Sequence, residues 1–478
     1  MEALQRLHNR GSISTGYDID NSLKFESDNS EYLNRTPGAN GSRTTWTTSV
    51  WVKRTEIGVD QAVFSSVSSA QTTNFCRFLS SDKIRFYFQP NDVAATYYAD
   101  TNAVFRDTSA WYHIVWGLDS TNSDGSKRFV VYVNGVYQES TWAGSATAST
   151  NCPQNSGSRF LQSEPIYIGN ATYTNGHYFN GYMAELHVLD GIAPDPTDFG
   201  EYDEDSGIWK PKAYTGSHGT QGFYLDFADA ADLGDDESGN GNDFTENNIT
   251  AADQATDTPT NNFCTFNTLS VVGTSTYTEG GTVGQANKQN DQGEGTIMFS
   301  SGNWYFEMQV PSSSASSDAM FGFAIPNEWG PSNPGDDSGK GFSVHNVGRW
   351  YYNNNGSTST DSSAAFAKGD IVSLAINTSS EKAWVAINGT WATGTNPATG
   401  TGGFSYGTLL TSWESGSYLV PAFRTHYVSG SESNANFGGF TVISISTPET
   451  DENGYGTFEY APPSGYYALC TKNLEEFG

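Results

Sequence analysis

Residues 111–118 read WYHIVWGL and residues 129–135 read FVVYVNG. In both, large apolar or aromatic residues alternate with smaller or polar ones, the period-two pattern of a β-strand. The second stretch closes on Asn134-Gly135, the strongest short-range signal for a hairpin turn. Moving outward, SVWVKR at 49–54, KIRFYF at 83–88 and YMAELHVL at 182–189 repeat the alternation between Gly-, Asn- and Asp-rich turns. Strands at this spacing predict an antiparallel sandwich. A second set comes later in the chain: WYFEMQV at 304–310, MFGFAI at 320–325, IVSLAIN at 371–377 and KAWVAI at 382–387, then 419–423 and 436–440. The second hairpin again runs into an Asn-Gly pair, at 388–389, so VNGVY (133–137) and INGTW (387–391) share hairpin chemistry rather than a long repeat.

The chain of 478 residues is long enough for two or three domains at roughly 150 residues each. Aromatic residues make up 14% of it, which excludes disorder as the main description. Charged residues are only 16%, and polarity comes from Ser, Thr, Asn and 51 glycines, which excludes a helical bundle or coiled coil. The 23 basic and 53 acidic residues give a net charge of −30, a field that repels phosphate backbones, so no nucleic-acid partner is expected. No apolar run approaches the about 20 residues of a membrane span, and the opening MEALQRLHNRGSIST has no secretory core. Cys76, Cys152, Cys264 and Cys470 are widely spaced and read as free buried thiols.

These signals divide the chain into an attachment arm (1–20), a jelly roll (21–190), an ordered connector with short strands (191–295), a second β-sandwich (296–446) and a tail that packs back (447–478). The connector is rich in Pro, Gly and acids, with Trp209 and Tyr214 expected to pin it. The fold class expected is all-β, two antiparallel β-sandwich (jelly-roll) domains joined by that connector.

Several stretches carry a more specific likeness. SLKFESDNSEYLNRT, TWTTSVWVKR, FRDTSAWYHIVWGLDST, RFVVYVNG and YFNGYMAELHVLDG, within 22–191, resemble the laminin-G-like, concanavalin A-type jelly rolls of tailed-phage structural proteins. GIWKPKAYTGSHGTQGFYLDF, SGNGNDFTENNI and DTPTNNFCTFN are similar to the block that comes after such a jelly roll in marine and cyanophage virion proteins. NWYFEMQV, FGFAI, GRWYY, KGDIVSLAINTSSEKAWVAINGTW and YLVPAF with NANFGGF after it resemble a SPRY domain. The closing PPSGYYALCTKNL is also phage-like. The resemblance implies a virion protein exposed on the particle surface, made in the host cytoplasm, non-enzymatic, and assembled as a homotrimer anchored to other virion proteins through its N-terminal arm. The reading this favours is a tail-fibre or spike subunit that adheres to host cell-surface glycans. A capsid decoration or head-fibre protein is the alternative, and a concanavalin-fold glycan hydrolase is the alternative from another class.

Candidate chemistry is sparse. Glycosidases of this fold need two facing carboxylates. Glu26, Asp28 and Glu31 imitate the E-x-D-x-x-E pattern, but turn formers lie between them. Glu201, Asp203 and Asp205 fall in the connector, and Glu185 and Glu307 read as lone mid-strand carboxylates. The seven histidines show no metal spacing. Asp236, Ser238, Asn240 and Gly241 imitate the start of an EF-hand loop, but Glu246 falls one place early and tight turns explain the cluster better. No cofactor is expected, with structural calcium on loop carboxylates as the one exception left open. For glycans the recipe is an aromatic ring beside amides. Trp350, Tyr351 and Tyr352, with Asn354 close behind, fit it in composition, with Trp391 after the second Asn-Gly turn as a further candidate. Strand alternation puts Trp350 and Tyr352 on one face, and one face of that strand is expected to be core.

Overall fold

The computed structural model describes residues 17–68, 71–89, 97–143, 152–171, 176–270, 273–288, 291–327, 341–352, 357–406, 418–425 and 430–478. It is almost all-β, as the alternation predicts, and falls into two compact units, one over Ser14–Thr260 and one built on Asn261–Gly478. The segment expected to be a separate connector divides between them: 191–260 completes the first unit and 261–295 supplies strands to the second. Residues 1–16 of the expected arm lie outside the described residues, while Tyr17 and Ile19 are tied to the first unit through Glu185 and Thr260.

In the first unit the front sheet runs Val136–Tyr137, Phe129–Val133, Trp111–Asp119, Thr45–Arg54, Gly181–Asp190, Ser22–Phe25 and Gln254–Ala255, with Phe223–Leu225 also pairing on Gly181–Asp190. The back sheet runs Ser140–Ala143, Tyr97–Thr101, Ile84–Phe88, Gln71–Phe78, Gln61–Ser68, Ile166–Ile168, Tyr32–Arg35 and Thr245–Asn247. Every pairing is antiparallel. Trp46, Val50, Val52, Ile114, Trp116 and Leu118 point from the front sheet into a core shared with Phe64, Phe78, Ile84 and Phe86 of the back sheet.

On the central strands of the front sheet the outward-facing residues are buried as well. Thr45–Arg54 and Gly181–Asp190 are buried at almost every position. The polar residues on this outer face find partners in the 191–260 segment. Thr47 Oγ1 donates to the Ile192 carbonyl at 2.8 Å, and Lys53 Nζ pairs with Asp257 at 2.6 Å. Trp209 lies over the Asn134-Gly135 turn, where both residues hold positive φ and a Cβ on Gly135 would come within 2.5 Å of the indole. Glycine is required there on both counts.

The second unit has one sheet of Thr276–Thr278, Val283–Gln285, Glu432–Asn436, Asn303–Gln309, Ile371–Asn377, Lys382–Ile387 and Thr390–Trp391. Phe404–Ser405 adds to its far side, and Tyr467–Ala468 adds in parallel to Asn303–Gln309. The facing sheet is Asp291–Glu294, Val420–Thr425, Ala319–Ala324, Gly341–His345, Val347–Tyr352 and Ser357–Ala365. The strand expected over 436–440 instead ends at Asn436, because Gly438 turns the chain at φ 105°. The tail packs back, through Tyr467–Ala468 and a short helix, Thr471–Phe477. All four cysteines are free and buried. Among the described residues no helix is long and apolar enough to cross a membrane.

The Lys53–Asp257 pair is at most 1% exposed on either side, and Asp257 also accepts from Trp111 Nε1 at 3.1 Å. Asp257→Ala removes the carboxylate that faces a buried ammonium and is expected to lower the unfolding free energy by about 3–5 kcal/mol, whereas Lys53→Met with Asp257→Leu recovers most of it. Urea titration of the three proteins checks this; an Asp257→Ala loss no larger than that of the double variant would contradict it.

Candidate functional site

Among the described residues the sequence-predicted platform does not come together as an exposed surface. Trp350 is 5% exposed, with its ring stacked 5.5 Å from Phe404 and tilted against Phe342 at 5.3 Å, so it is a core residue whose faces are already covered. Tyr351 is half-buried, edge-on to His345 at 6.3 Å. Tyr352 pairs through its backbone with Phe342, while its side chain and all of Asn354 lie outside the described residues. Trp391 packs, half-buried, against a small cluster with Tyr305, Trp384 and Phe458.

The carboxylates singled out in the sequence are tied down. Glu31 is 1% exposed, bonded to Lys24 Nζ at 3.0 Å and to the Glu26 amide at 2.7 Å, and Glu26 accepts the Asp28 amide. The stretch is a clamped turn. Asp203 accepts from Ser206 and Lys210 in the same way. Asp236 spends its oxygens on the amides of Tyr224, Ser238 and Asn242 and on the Ser238 hydroxyl, all N–H or O–H donors of a tight turn. No cluster of three or more metal-ligating side chains forms among the described residues. Glu307, fully buried, accepts from the Tyr305 and Asn436 side chains and from the Glu459 and Tyr460 amides, holding the C-terminal segment.

Glu185 is not a lone carboxylate. It sits at φ 50° where the register of Gly181–Asp190 shifts, and it is 7% exposed. Tyr17 and Tyr224 donate to it at 2.5 and 2.6 Å, and His187 Nε2 lies 3.4 Å away. Burial opposes its ionisation, but His187 and the two phenols outweigh that and hold its pKa below the usual value. His187 continues to His218 at 3.2 Å. Beside this cluster Trp51, His113 and Trp209 stack, at 4.7 and 6.0 Å. The Trp209 indole N–H donates to His113 Nδ1 at 3.0 Å, so the ring proton sits on Nε2 against Ser49 Oγ at 2.8 Å. These groups glue the 191–224 segment onto the outer face of the front sheet.

The open site lies where that cover ends. Tyr132 and Tyr137 stand directly opposite one another across the Phe129–Val133/Val136–Tyr137 hairpin, edge to face at 5.8 Å. Tyr132 is anchored against Val115, Leu189 and Phe199, whereas Tyr137 is 47% exposed. With Ala193 and Pro194 they wall a cleft of about 440 Å³ whose other side carries Asp119, Asn122, Ser126 and Lys127. Asp119 Oδ1 is held by the Thr121 amide and hydroxyl, and Asn122 Oδ1 takes the Asp124 amide, leaving the Asn122 amide nitrogen as a donor. Ser126 donates to Asp124, leaving its oxygen to accept. An exposed ring beside donors and acceptors fits a sugar, with its apolar face and its hydroxyl edge. In the sequence this pair hid in VYVNGVY: two tyrosines flanking an Asn-Gly turn become opposite only once the register is known.

Residues 27–194 match the family model of the concanavalin A-like lectin/glucanases superfamily. That span contains every residue of the cleft. No curated protein matches the chain. Among solved structures, the SPRY domain of human HERC1 is similar at 13% identity and TM-score 0.25, over 33% of this chain and 89% of that one. A putative carbohydrate-binding protein from Bacteroides ovatus is similar at 16% identity and TM-score 0.34, over 49% of this chain and 60% of that one. The heptameric SAP-like pentraxin of Limulus polyphemus is similar at 15% identity and TM-score 0.27, over 37% and 80%. The family match carries the fold assignment of the first unit.

Burial, then the neighbouring His187, pushes His113 from an ordinary 6.5 down to about 3, and the same two causes push His218 to about 4. An unfolded chain therefore takes up protons below pH 6.5 that the folded rings refuse, so stability is full above that value and falls as the pH drops toward 4. The His113 contribution has a slope of up to about 1.4 kcal/mol per pH unit. Urea melts from about pH 7 to about 4.5 are expected to show this decline, with a shallower slope in His113→Gln; an unchanged slope would contradict it.

Proposed function

We propose that this chain is a non-enzymatic carbohydrate-binding protein that takes a sugar in the Tyr132/Tyr137 cleft. The observation that carries the reading is the position of that cleft, an exposed tyrosine beside Asp119, Asn122, Ser126 and Lys127, within the span that matches a lectin-type family. The Tyr137 ring stacks on the apolar face of a pyranose while the polar wall bonds its hydroxyls. Among the described residues Asp119 is the only carboxylate lining the cleft, where glycoside hydrolysis needs two, and this supports binding without turnover. No cofactor enters the proposal.

The resemblance of the stretches within 207–267 and of the closing PPSGYYALCTKNL to virion proteins supports display on a phage particle, as a tail-fibre or spike subunit facing host glycans. One shallow cleft binds weakly, and a homotrimer anchored at its N-terminal end gains avidity by presenting three.

A glycan array and then calorimetry test the binding. Tyr137→Ala is expected to weaken the best glycan by about tenfold or more, a loss of roughly 1.4 kcal/mol, while a half-exposed residue leaves the melting temperature nearly unchanged. An unchanged affinity overturns the site, and glycan cleavage by the wild type overturns the non-enzymatic reading. Immunogold labelling of whole particles is expected at the tail; label confined to the capsid overturns the tail assignment in favour of decoration.

A further inference from the structure

Ser22–Phe25 sends Leu23 and Phe25 into the core, so strand alternation turns Ser22 and Lys24 to the outer face. The pairing of Ser22 with Ala255 and Leu23 with Gln254 brings Asp253 to Lys24 at the next step along the strand. There Lys24 Nζ lies 2.8 Å from Asp253 Oδ1 and 3.0 Å from Glu31 Oε1. All three residues are buried. One ammonium thus meets two carboxylates, and the net negative charge left over is costly away from water. Glu31 registers that cost. Burial pushes its pKa up, Lys24 opposes the rise and Asp253 adds to it, so Glu31 takes up a proton more readily than an ordinary carboxylate.

The two carboxylates are also aimed. The Thr250 amide and hydroxyl both donate to Asp253 Oδ2, at 2.8 and 3.2 Å, which leaves Oδ1 facing the amine. The Glu26 amide donates to Glu31 Oε2 at 2.7 Å and the Asn29 side chain to Oε1 at 3.0 Å. Two donors on Oδ2 stand where negative charge gathers when a nucleophile adds to the carboxyl carbon, the arrangement of an oxyanion hole. An amine held this close to a carboxyl gains an effective concentration on the order of 10⁵ M or more.

We propose that Lys24 and Asp253 condense to an intramolecular isopeptide bond, with Glu31 carrying the protons. Glu31 takes a proton from Nζ and frees its lone pair. Nζ adds to Asp253 Cγ, and Oδ2 takes the negative charge beneath the two Thr250 donors. The Cγ–Oδ1 bond then breaks, Oδ2 becomes the amide carbonyl, and Oδ1 leaves as water with two protons passed from Nζ through Glu31. An ammonium and a carboxylate become an amide and a water. No oxidant or cofactor takes part, and Glu31 is returned unchanged. The exchange removes two buried charges. It bolts the Thr250–Asp253 turn to the Ser22–Phe25 strand and restricts the unfolded chain between residues 24 and 253. The bond does not depend on the sugar-binding reading.

Intact mass spectrometry of the purified full chain, denatured before injection, tests the proposal. The chain is expected to be lighter than its sequence by one water. Trypsin acting on the denatured chain is expected to release residues 11–35, uncut after Lys24, joined to residues 213–288. Glu31→Gln keeps the size of the side chain but cannot carry a proton, and is expected to show the full mass and ordinary cleavage after Lys24. The wild-type mass and digest need no variant, so they decide the matter even where Glu31→Gln fails to fold. Full sequence mass in the folded wild type, or cleavage after Lys24, overturns the bond. Loss of water from Glu31→Gln with the same joined peptides overturns the role given to Glu31.

Discussion

Burial of both faces of the front sheet is the constraint on which the first unit depends. An antiparallel sheet of this kind can leave one face to water. Here the outer face carries Thr47, Ser49, Trp51 and Lys53 on one strand and His113 on the next, and each finds a partner in the 191–260 segment or beside it. Trp209 does most of this, stacking on His113, donating to its ring and roofing Gly135. Burying an indole, on the order of 200 Å² at about 25 cal/mol per Å², is worth up to about 5 kcal/mol. The cover explains where contact with the outside is left. It passes Ile192 over Thr47 and Pro194 over Gly117, and beside that passage Tyr137 stays open.

The second unit uses the same physics with different residues. Its Asn388-Gly389 turn also holds positive φ, and Tyr460 lies over Gly389 as Trp209 lies over Gly135. Glu307 fixes that arrangement by accepting the Tyr460 amide from the middle of its strand. Burial raises its pKa, and the four donors around it make up for the lost water. In both units, then, a hairpin glycine is closed by an aromatic from a distant segment, and a buried polar side chain keeps that segment in register.

The strands and the two Asn-Gly hairpins were legible in the sequence because period-two alternation and turn chemistry are local. The double burial was not. Alternation says that Ser49 and Trp51 share a face, but not that His113 and Trp209 will arrive there from residues far along the chain. For the same reason the 191–295 segment read as a connector: its strands are two to four residues long, and several of them find their partners in the sheets on either side of it in sequence. The cover over Trp350 was hidden by the same limit. Trp350-Tyr351-Tyr352 and Tyr132/Tyr137 are both tyrosine-rich hairpin strands. What separates them is cover, since Phe342 and Phe404 close over Trp350 while Tyr137 meets Tyr132 on one side and stays half exposed.

Amide hydrogen exchange over the whole chain, with and without a bound oligosaccharide, tests the central claim most directly, because it reports contact without presuming where it falls. The account predicts that neutral-sugar binding slows exchange in residues 119–137 and 192–195 and leaves 341–352 and 390–392 unchanged. Slowed exchange at 341–352 with none around Tyr137 would contradict it.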